Sequence, residues 1–292
     1  MNPDSLSIEN PFVIGEIGIN HNGNLKLAKK MIKAAHQAGC DAVKFQKRNI
    51  ETVYTPNYLI EHRESPWGTT QREQKEGLEF NKSDYDEIDR FCTGIGILWT
   101  ASAWDVESQK FLQGYDVSFN KIASPMLVHR ELLEIVAAEG KHTYISTGMC
   151  TFQDIDRAVS IFTRHNCPFT LMHCVSKYPL EDDECNLSMI TVLKERYGCP
   201  VGYSGHEKGP FPSVMAVILG ASAIERHVTL DRTMYGSDQS ASLENKGLTG
   251  MIRDIGIISK ALGDGIKKIY ESEMSARQKL SKPYWYECSS LD

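Results

Sequence analysis

Lys44 in DAVKFQ and Lys121 in NKIASP each stand inside a short apolar run. A lysine set in an apolar wall is costly to desolvate, and two that converge require an anion. Ser102, Ser124, Ser146 and Ser204 occupy comparable places at the ends of short runs. Hydroxyls beside ammonium groups make a donor-rich pocket suited to phosphate and carboxylate, so the chemistry implied is that of a strongly anionic small substrate. Either lysine could instead turn outward or pair with a local acid such as Glu16. His206 in GYSGHEKG and His227 in IERHVTLDR form a second pair. Two imidazoles on adjacent strands can share a divalent ion such as Mn²⁺ or Mg²⁺, with substrate oxygens and water completing its shell. A hydrogen-bonded core histidine is the other reading of each. Glu16 and Asp238 are carboxylates available for proton transfer or sugar hydroxyls, and either could equally cap a loop.

These residues share a site only if the fold gathers them. Short β-type runs alternate with helical patterns from end to end, the rhythm of parallel βα units. Strands are predicted at 12–18, 42–46, 96–101, 117–122, 143–147, 169–174, 201–204 and 223–227. Helical spacing falls between them at 25–38, 85–92, 106–112, 130–138, 152–163, 187–197 and 213–219, and 248–261 closes the series. Ser83 or Asp84 is the expected cap of the helix at 85–92. The predicted fold class is α/β, a single-domain (β/α)8 TIM barrel over 11–265, with an N-terminal arm at 1–10 and a C-terminal tail at 266–292. A doubly wound sheet is the alternative, but no GxGxxG opens a helix after the first strand.

In a barrel the strand ends meet at one mouth. That mouth would collect Glu16, Lys44, Gln46, Thr100, Ser102, Lys121, Ser124, Ser146, Thr147, His173, Ser176, Tyr178, Ser204, His206, Glu225 and His227. One connection, 47–82, is out of proportion and is expected to be a structureless loop over the active site, a solvated insertion being the alternative.

Composition narrows the partners. Among 292 residues, 38 acids against 32 bases give a net charge of −6 with no long basic run, which argues against nucleic acid or an anionic membrane as partner. No apolar run approaches the ~20 residues that span a bilayer, and the polar N-terminus is unlike a signal peptide, so a cytoplasmic location is expected. The eight cysteines lack CxxC spacing and read as reduced, mostly buried thiols.

The ordered segments GEIGINHNG (15–23), DAVKFQ (41–46), NKIASP (120–125), STGM (146–149), GYSGH (202–206) and ERHVTLDRTM with GSDQSASLE (225–244) resemble those of the sialic acid synthases, from about Pro11 to Leu280. That family condenses phosphoenolpyruvate with an N-acylated hexose to give nine-carbon α-keto acids. The resemblance implies that His206 and His227 bind Mn²⁺, with Mg²⁺ or Co²⁺ as alternatives, and that Lys44, Ser102, Lys121, Ser124, Ser146 and Ser204 hold phosphoenolpyruvate. It places Glu16, Gln46, Tyr178 and Asp238 by the acceptor sugar, with Glu16 handling a proton, and it implies a homodimer. Ser176 stands where better-known bacterial members have asparagine, and WTASAW (99–104) replaces a serine-threonine-proline-phenylalanine run.

Typical members continue into an antifreeze-like domain whose arginine reaches a partner's active site. This sequence ends at Asp292, so the expectation is a barrel without that domain, with a different acceptor or the 47–82 segment as lid. Tyr284, Trp285 and Tyr286 are expected to pack on the barrel bottom, seal an interface or cover a neighbouring site. Two other readings are a 3-deoxy-ulosonate-phosphate-type synthase or sugar-phosphate aldolase, and a non-catalytic relic. A phosphorylated acceptor would want more basic residues near the sugar, for which Lys47, Arg48 and Lys208 are the candidates.

Overall fold

The structure, a computed structural model, describes residues 10–281. Its strands are β1 Phe12–Gly18, β2 Ala42–Lys47, β3 His62–Ser65, β4 Gly68–Thr70, β5 Leu98–Ala103, β6 Asn120–Ile122, β7 Thr143–Ser146, β8 Phe169–His173, β9 Val201–Gly205 and β10 Ala223–His227. Eight of them close into a parallel barrel in the order β1-β10-β9-β8-β7-β6-β5-β2, with helices between, as the alternation predicts; β3 and β4 form a separate antiparallel hairpin.

Each barrel unit follows local rules. In the helix Leu25–Ala38, Asn24 caps the first turn by accepting from Leu27 N, and Gly39 ends the last turn at φ +98°, a left-handed conformation that glycine adopts without Cβ strain. Between those ends Ala28, Met31, Ile32 and Ala35 are fully buried against the sheet. Each large apolar side chain so buried contributes about 1.5–3 kcal/mol.

The barrel is filled from below. Ile14, Ala42, Phe119, Tyr144, Met172 and Ala223 form an apolar plug at its N-terminal end, where Phe12 stacks on Tyr144 at 5.8 Å and meets Phe119 edge-on at 5.5 Å. Polar side chains are thereby left to the opposite, C-terminal mouth.

Several expected boundaries move. β5 runs two residues later than predicted, so Ser102 lies within the strand rather than after it. β6 keeps only Asn120–Ile122 of the run at 117–122. The helix Lys82–Ile95 is capped by Asn81, which accepts from Asp84 N while Asp84 reaches back to Asn81 N, so neither Ser83 nor Asp84 is the cap.

The 47–82 segment is not structureless. It folds into the helices Ile50–Val53, Pro56–Leu59 and Gln71–Leu78 around the β3–β4 hairpin. Trp67 locks it down by lying on Gly77, where a Cβ would come within 2.2 Å of the indole, and by meeting Tyr235 edge-on at 5.8 Å. The last barrel helix is Asn245–Leu262, and a further helix, Glu271–Leu280, is exposed along its length. Tyr284, Trp285, Tyr286 and Cys288 lie outside the described residues. The seven described cysteines are free thiols, and among the described residues no helix is long and apolar enough to cross a membrane.

Candidate active site

Strand register assembles the mouth. Glu16 of β1 sits beside His227 of β10 on one side and Lys44 of β2 on the other, while Gln46, Ser102 and Lys121 are neighbours across β2, β5 and β6. Glu225 pairs in register with Ser204. Alternation along β10 turns Glu225 and His227 inward and sends Arg226 outward, where its guanidinium is fully buried against Glu207 at 2.7 Å.

One cavity of about 240 Å³ takes the polar ends of these strands. That is below the ~300–1,000 Å³ of drug-sized sites and suits a small metabolite. Glu16, Lys44, Gln46, Ser102, Lys121, Ser124, Ser146, Ser176, Tyr178, Ser204, His206 and His227 all line it. Asp238 does not; it stands beside it, its Oδ2 3.8 Å from His227 Nδ1. A larger groove of about 470 Å³ lies between the helices Arg130–Ala138 and Phe152–Arg164 and contains none of these groups.

The electrostatics centre on two buried ammonium groups. Lys44 Nζ lies 2.7 Å from Glu16 Oε2, whose other oxygen accepts from Gln46 Nε2 at 2.9 Å. Lys44 therefore points inward and pairs with Glu16 at once, joining two orientations that the sequence leaves as alternatives. Lys121 Nζ donates to Ser146 Oγ at 2.5 Å and to the Ile122 carbonyl at 3.1 Å. Glu225 Oε1 stands 3.8 Å from both ammonium groups and accepts from Ser204 Oγ at 3.2 Å. Burial works against the charge of Lys44, but Glu16 and Glu225 outweigh it and hold its pKa above the ordinary value. Burial wins at Lys121, helped by Lys44, and lowers its pKa. Glu225 is desolvated too, yet Lys121 and Lys44 keep its pKa low. Lys121 is thus the less compensated of the two ammonium groups, and an anion beside it would favour its charged form.

A backbone cradle adjoins the lysines. Gly148 N donates to Ser124 Oγ at 3.1 Å and to Cys174 Sγ at 3.2 Å. A Cβ on Gly148 would come within 2.4 Å of Ser176 Oγ and 2.8 Å of Ser124 Oγ, so glycine is required for this close approach. The next residue, Met149, takes φ +61° and lines the cavity.

His206 and His227 face each other with ring centroids 5.5 Å apart. His206 Nδ1 lies 2.7 Å from the Val175 carbonyl, so Nδ1 carries the proton and Nε2 presents its lone pair, which receives the Tyr178 hydroxyl at 2.9 Å. Burial, then His227, pushes the His206 pKa down to about 3, keeping it a neutral donor. His227 Nδ1 is buried without a hydrogen-bond partner. A fixed tautomer on one ring and an orphaned nitrogen on the other fit a divalent ion. Among the described residues no group of three or more His, Cys, Asp or Glu side chains forms a complete cage, so substrate and water would have to supply the remaining ligands.

Some expected mouth residues are structural instead. His173 Nε2 bonds the Cys185 carbonyl at 2.9 Å, Thr100 bonds the Phe119 carbonyl at 3.0 Å and Thr147 bonds the Met172 carbonyl at 3.1 Å. Glu225 is expected at the mouth from the sequence with no role attached, though its i, i+2 relation to His227 signals a shared face. Trp104, Met149 and Cys174 line the cavity with no signal of that kind.

A closed parallel barrel whose strand ends surround two lysines and two histidines defines a TIM barrel with a polar, lysine-bearing mouth. Residues 31–267 match the model of the NeuB family. The chain is 39% identical to the human N-acetylneuraminate-9-phosphate synthase over 93% of its own length and 76% of that protein's, and 34% identical to the N,N'-diacetyllegionaminic acid synthase of Campylobacter jejuni over 89% and 80%. The crystal structure of N-acetylneuraminic acid synthetase from Leptospira borgpetersenii, a complex with citrate, superposes with a TM-score of 0.81 at 35% identity, covering 93% of each chain. The DAHP synthase of Thermotoga maritima, at 13% identity and a TM-score of 0.66, shares the fold. The chain belongs to the NeuB family and is an enzyme of that synthase family.

Proposed function

We propose that the mouth condenses phosphoenolpyruvate with the open-chain aldehyde of an N-acyl hexosamine, N-acetylmannosamine or a related sugar, to give a sialic-type nonulosonic acid and inorganic phosphate. The observation that carries this reading is the pair of buried ammonium groups, Lys44 and Lys121, sharing the Glu225 carboxylate at 3.8 Å beside two facing imidazoles. The relatives named as synthases of N-acetylneuraminate 9-phosphate and of N,N'-diacetyllegionaminic acid, and the N-acetylneuraminic acid synthetase structure, support it.

Lys44 and Lys121, with the hydroxyls of Ser102, Ser124, Ser146 and Ser204, hold the phosphate and carboxylate of phosphoenolpyruvate. Its C3 forms the new carbon–carbon bond to the aldehyde carbon, and the aldehyde oxygen takes up a proton to become a hydroxyl. Water adds through oxygen to C2 and gives up one proton; the C2–O bond to phosphate then breaks as the new C2 hydroxyl passes its remaining proton to the departing phosphate, leaving a ketone and inorganic phosphate. Glu16, fixed between Lys44 and Gln46, is placed to take a proton at its carboxylate, and the ammonium groups steady the negative charge throughout. Gln46, Ser176, Tyr178 and Asp238 orient the acceptor. His206 and His227 would hold a divalent ion, Mn²⁺ first with Mg²⁺ or Co²⁺ as alternatives, which when bound supplies Lewis-acid polarisation of the aldehyde.

The test is incubation with phosphoenolpyruvate, Mn²⁺ and a panel of hexosamines. Phosphate and a new keto acid detected by mass spectrometry should appear in equal amounts and vanish with a chelator. No phosphate with any acceptor, together with no binding of metal or phosphoenolpyruvate, would overturn the proposal.

A further inference from the structure

Cys174, the residue after β8, is a buried thiol that lines the cavity and takes no part in the condensation described above. Its Sγ lies 3.2 Å from Ser124 Oγ and accepts from Gly148 N at 3.2 Å, while the same Gly148 N–H also meets Ser124 Oγ at 3.1 Å. The three residues follow β8, β6 and β7 respectively, so only the closed barrel brings them into one triangle. Its sides are fixed by packing. A Cβ on Gly148 would come within 3.0 Å of Cys174 Sγ and 2.8 Å of Ser124 Oγ.

Valence then limits where the Ser124 proton points. A hydroxyl has one hydrogen and two acceptor lone pairs. Gly148 N–H can only donate, and it occupies one of those lone pairs. Either hydrogen can bridge Ser124 Oγ and Cys174 Sγ. A hydroxyl hydrogen directed at sulfur is spent on a weak acceptor, and the thiol hydrogen then reaches no other acceptor among the described residues. A thiol hydrogen directed at Ser124 fills the second lone pair and leaves the hydroxyl hydrogen for the cavity, which Ser124 lines together with Lys121 and Ser146. An anion lying there accepts that hydrogen in a charge-assisted bond, which selects the second arrangement.

We propose that Cys174 is a positioning residue: its S–H donates to Ser124 Oγ and so turns the Ser124 hydroxyl towards an anion bound at the mouth. That the anion is phosphoenolpyruvate rests on the condensation reading above. Cys150 supplies the contrast, because it meets Ser124 only at the backbone carbonyl, 3.6 Å from its Sγ.

Calorimetric titration of phosphoenolpyruvate onto the parent chain and its variants tests the role as a cycle. Cys174→Ala should weaken binding about tenfold, the loss of one oriented hydrogen bond to a charged group, while Cys174→Ser, which can still donate, and Cys150→Ala should each stay within about threefold of the parent. In a Ser124→Ala background the further change Cys174→Ala should cost less than about twofold, because the thiol acts through that hydroxyl. Additive losses, or a Cys174→Ala variant that binds as the parent does, overturn the proposal. In the parent itself, the infrared S–H stretch of Cys174, isolated as a difference against Cys174→Ala, should lie below that of a free thiol and rise in Ser124→Ala; a free-thiol band overturns the proposal without reference to any ligand. Should the parent bind no phosphoenolpyruvate, the condensation reading fails and the same cycle is run with inorganic phosphate. Coupling between Cys174 and Ser124 there supports the thiol's role at an anion site of other purpose; additive losses, or no phosphate bound, overturn it.

Discussion

Glu225 offers one carboxylate oxygen to two ammonium groups and leaves its other oxygen buried without a partner. Removing a shared counter-ion from a buried cluster costs roughly 3–5 kcal/mol. Glu225→Gln should therefore lower stability in urea by about 3 kcal/mol, with added phosphoenolpyruvate recovering more in the variant than in the parent. A loss under about 1 kcal/mol would show that the lysines do not depend on it. His206→Ala and His227→Ala should each weaken Mn²⁺ binding by calorimetry, and undiminished affinity in both would refute the proposed ligands. His21, stacked on Phe80 at 4.0 Å, has its pKa pushed down to about 3 by burial and by Arg48. Between its ordinary value of 6.5 and 3 the unfolded chain takes a proton that folded His21 refuses, so stability falls as pH drops, by at most roughly 1.4 kcal/mol per unit. His206 acts in the same direction. Denaturation of His21→Gln across this window should show a shallower pH slope; an unchanged slope would remove His21 from the account of acid sensitivity.

At the scale of elements, the barrel strands and their inward lysines are legible because short apolar runs alternate with helical spacing, and each run ends in a residue whose type has no other reason to be there. Lys121 after SFN and His227 after AIER are such cases. The excursion is not legible in that way. Its helices Ile50–Val53 and Pro56–Leu59 are four residues each, too short to show a period, although the Thr70–Glu73 capping box was a readable start signal for Gln71–Leu78. Lys75 meets Tyr54 and Tyr58 through that compact fold alone, whereas Lys47, Arg48 and Lys208 are the cations that the linear sequence offers near the sugar. Gly77 is the test of the packing. Alanine there would favour the helix by about 1 kcal/mol on propensity alone, but its Cβ would strike Trp67. Gly77→Ala should speed hydrogen exchange across 50–78 and raise the acceptor KM with little change for phosphoenolpyruvate. A net gain in stability would mean that Trp67 does not pin the excursion.

Over the whole molecule, a chain of net charge −6 buries two lysines at one end of one barrel. The net negative charge disfavours polyanions at large, while the proposed dianion site lies in a mouth floored by the plug of Ile14, Phe119 and Tyr144. Lysines, histidines and carboxylates from different strands act together only because the barrel is closed, so the central claim is one about a single reaction in a single mouth. Phosphoenolpyruvate labelled with ¹⁸O in the bridge between carbon and phosphorus tests it most directly. With Mn²⁺ and an N-acyl hexosamine present, the label should leave in inorganic phosphate, in step with the keto acid formed. Label retained in the organic product, or phosphate released at the same rate without an acceptor, would contradict it.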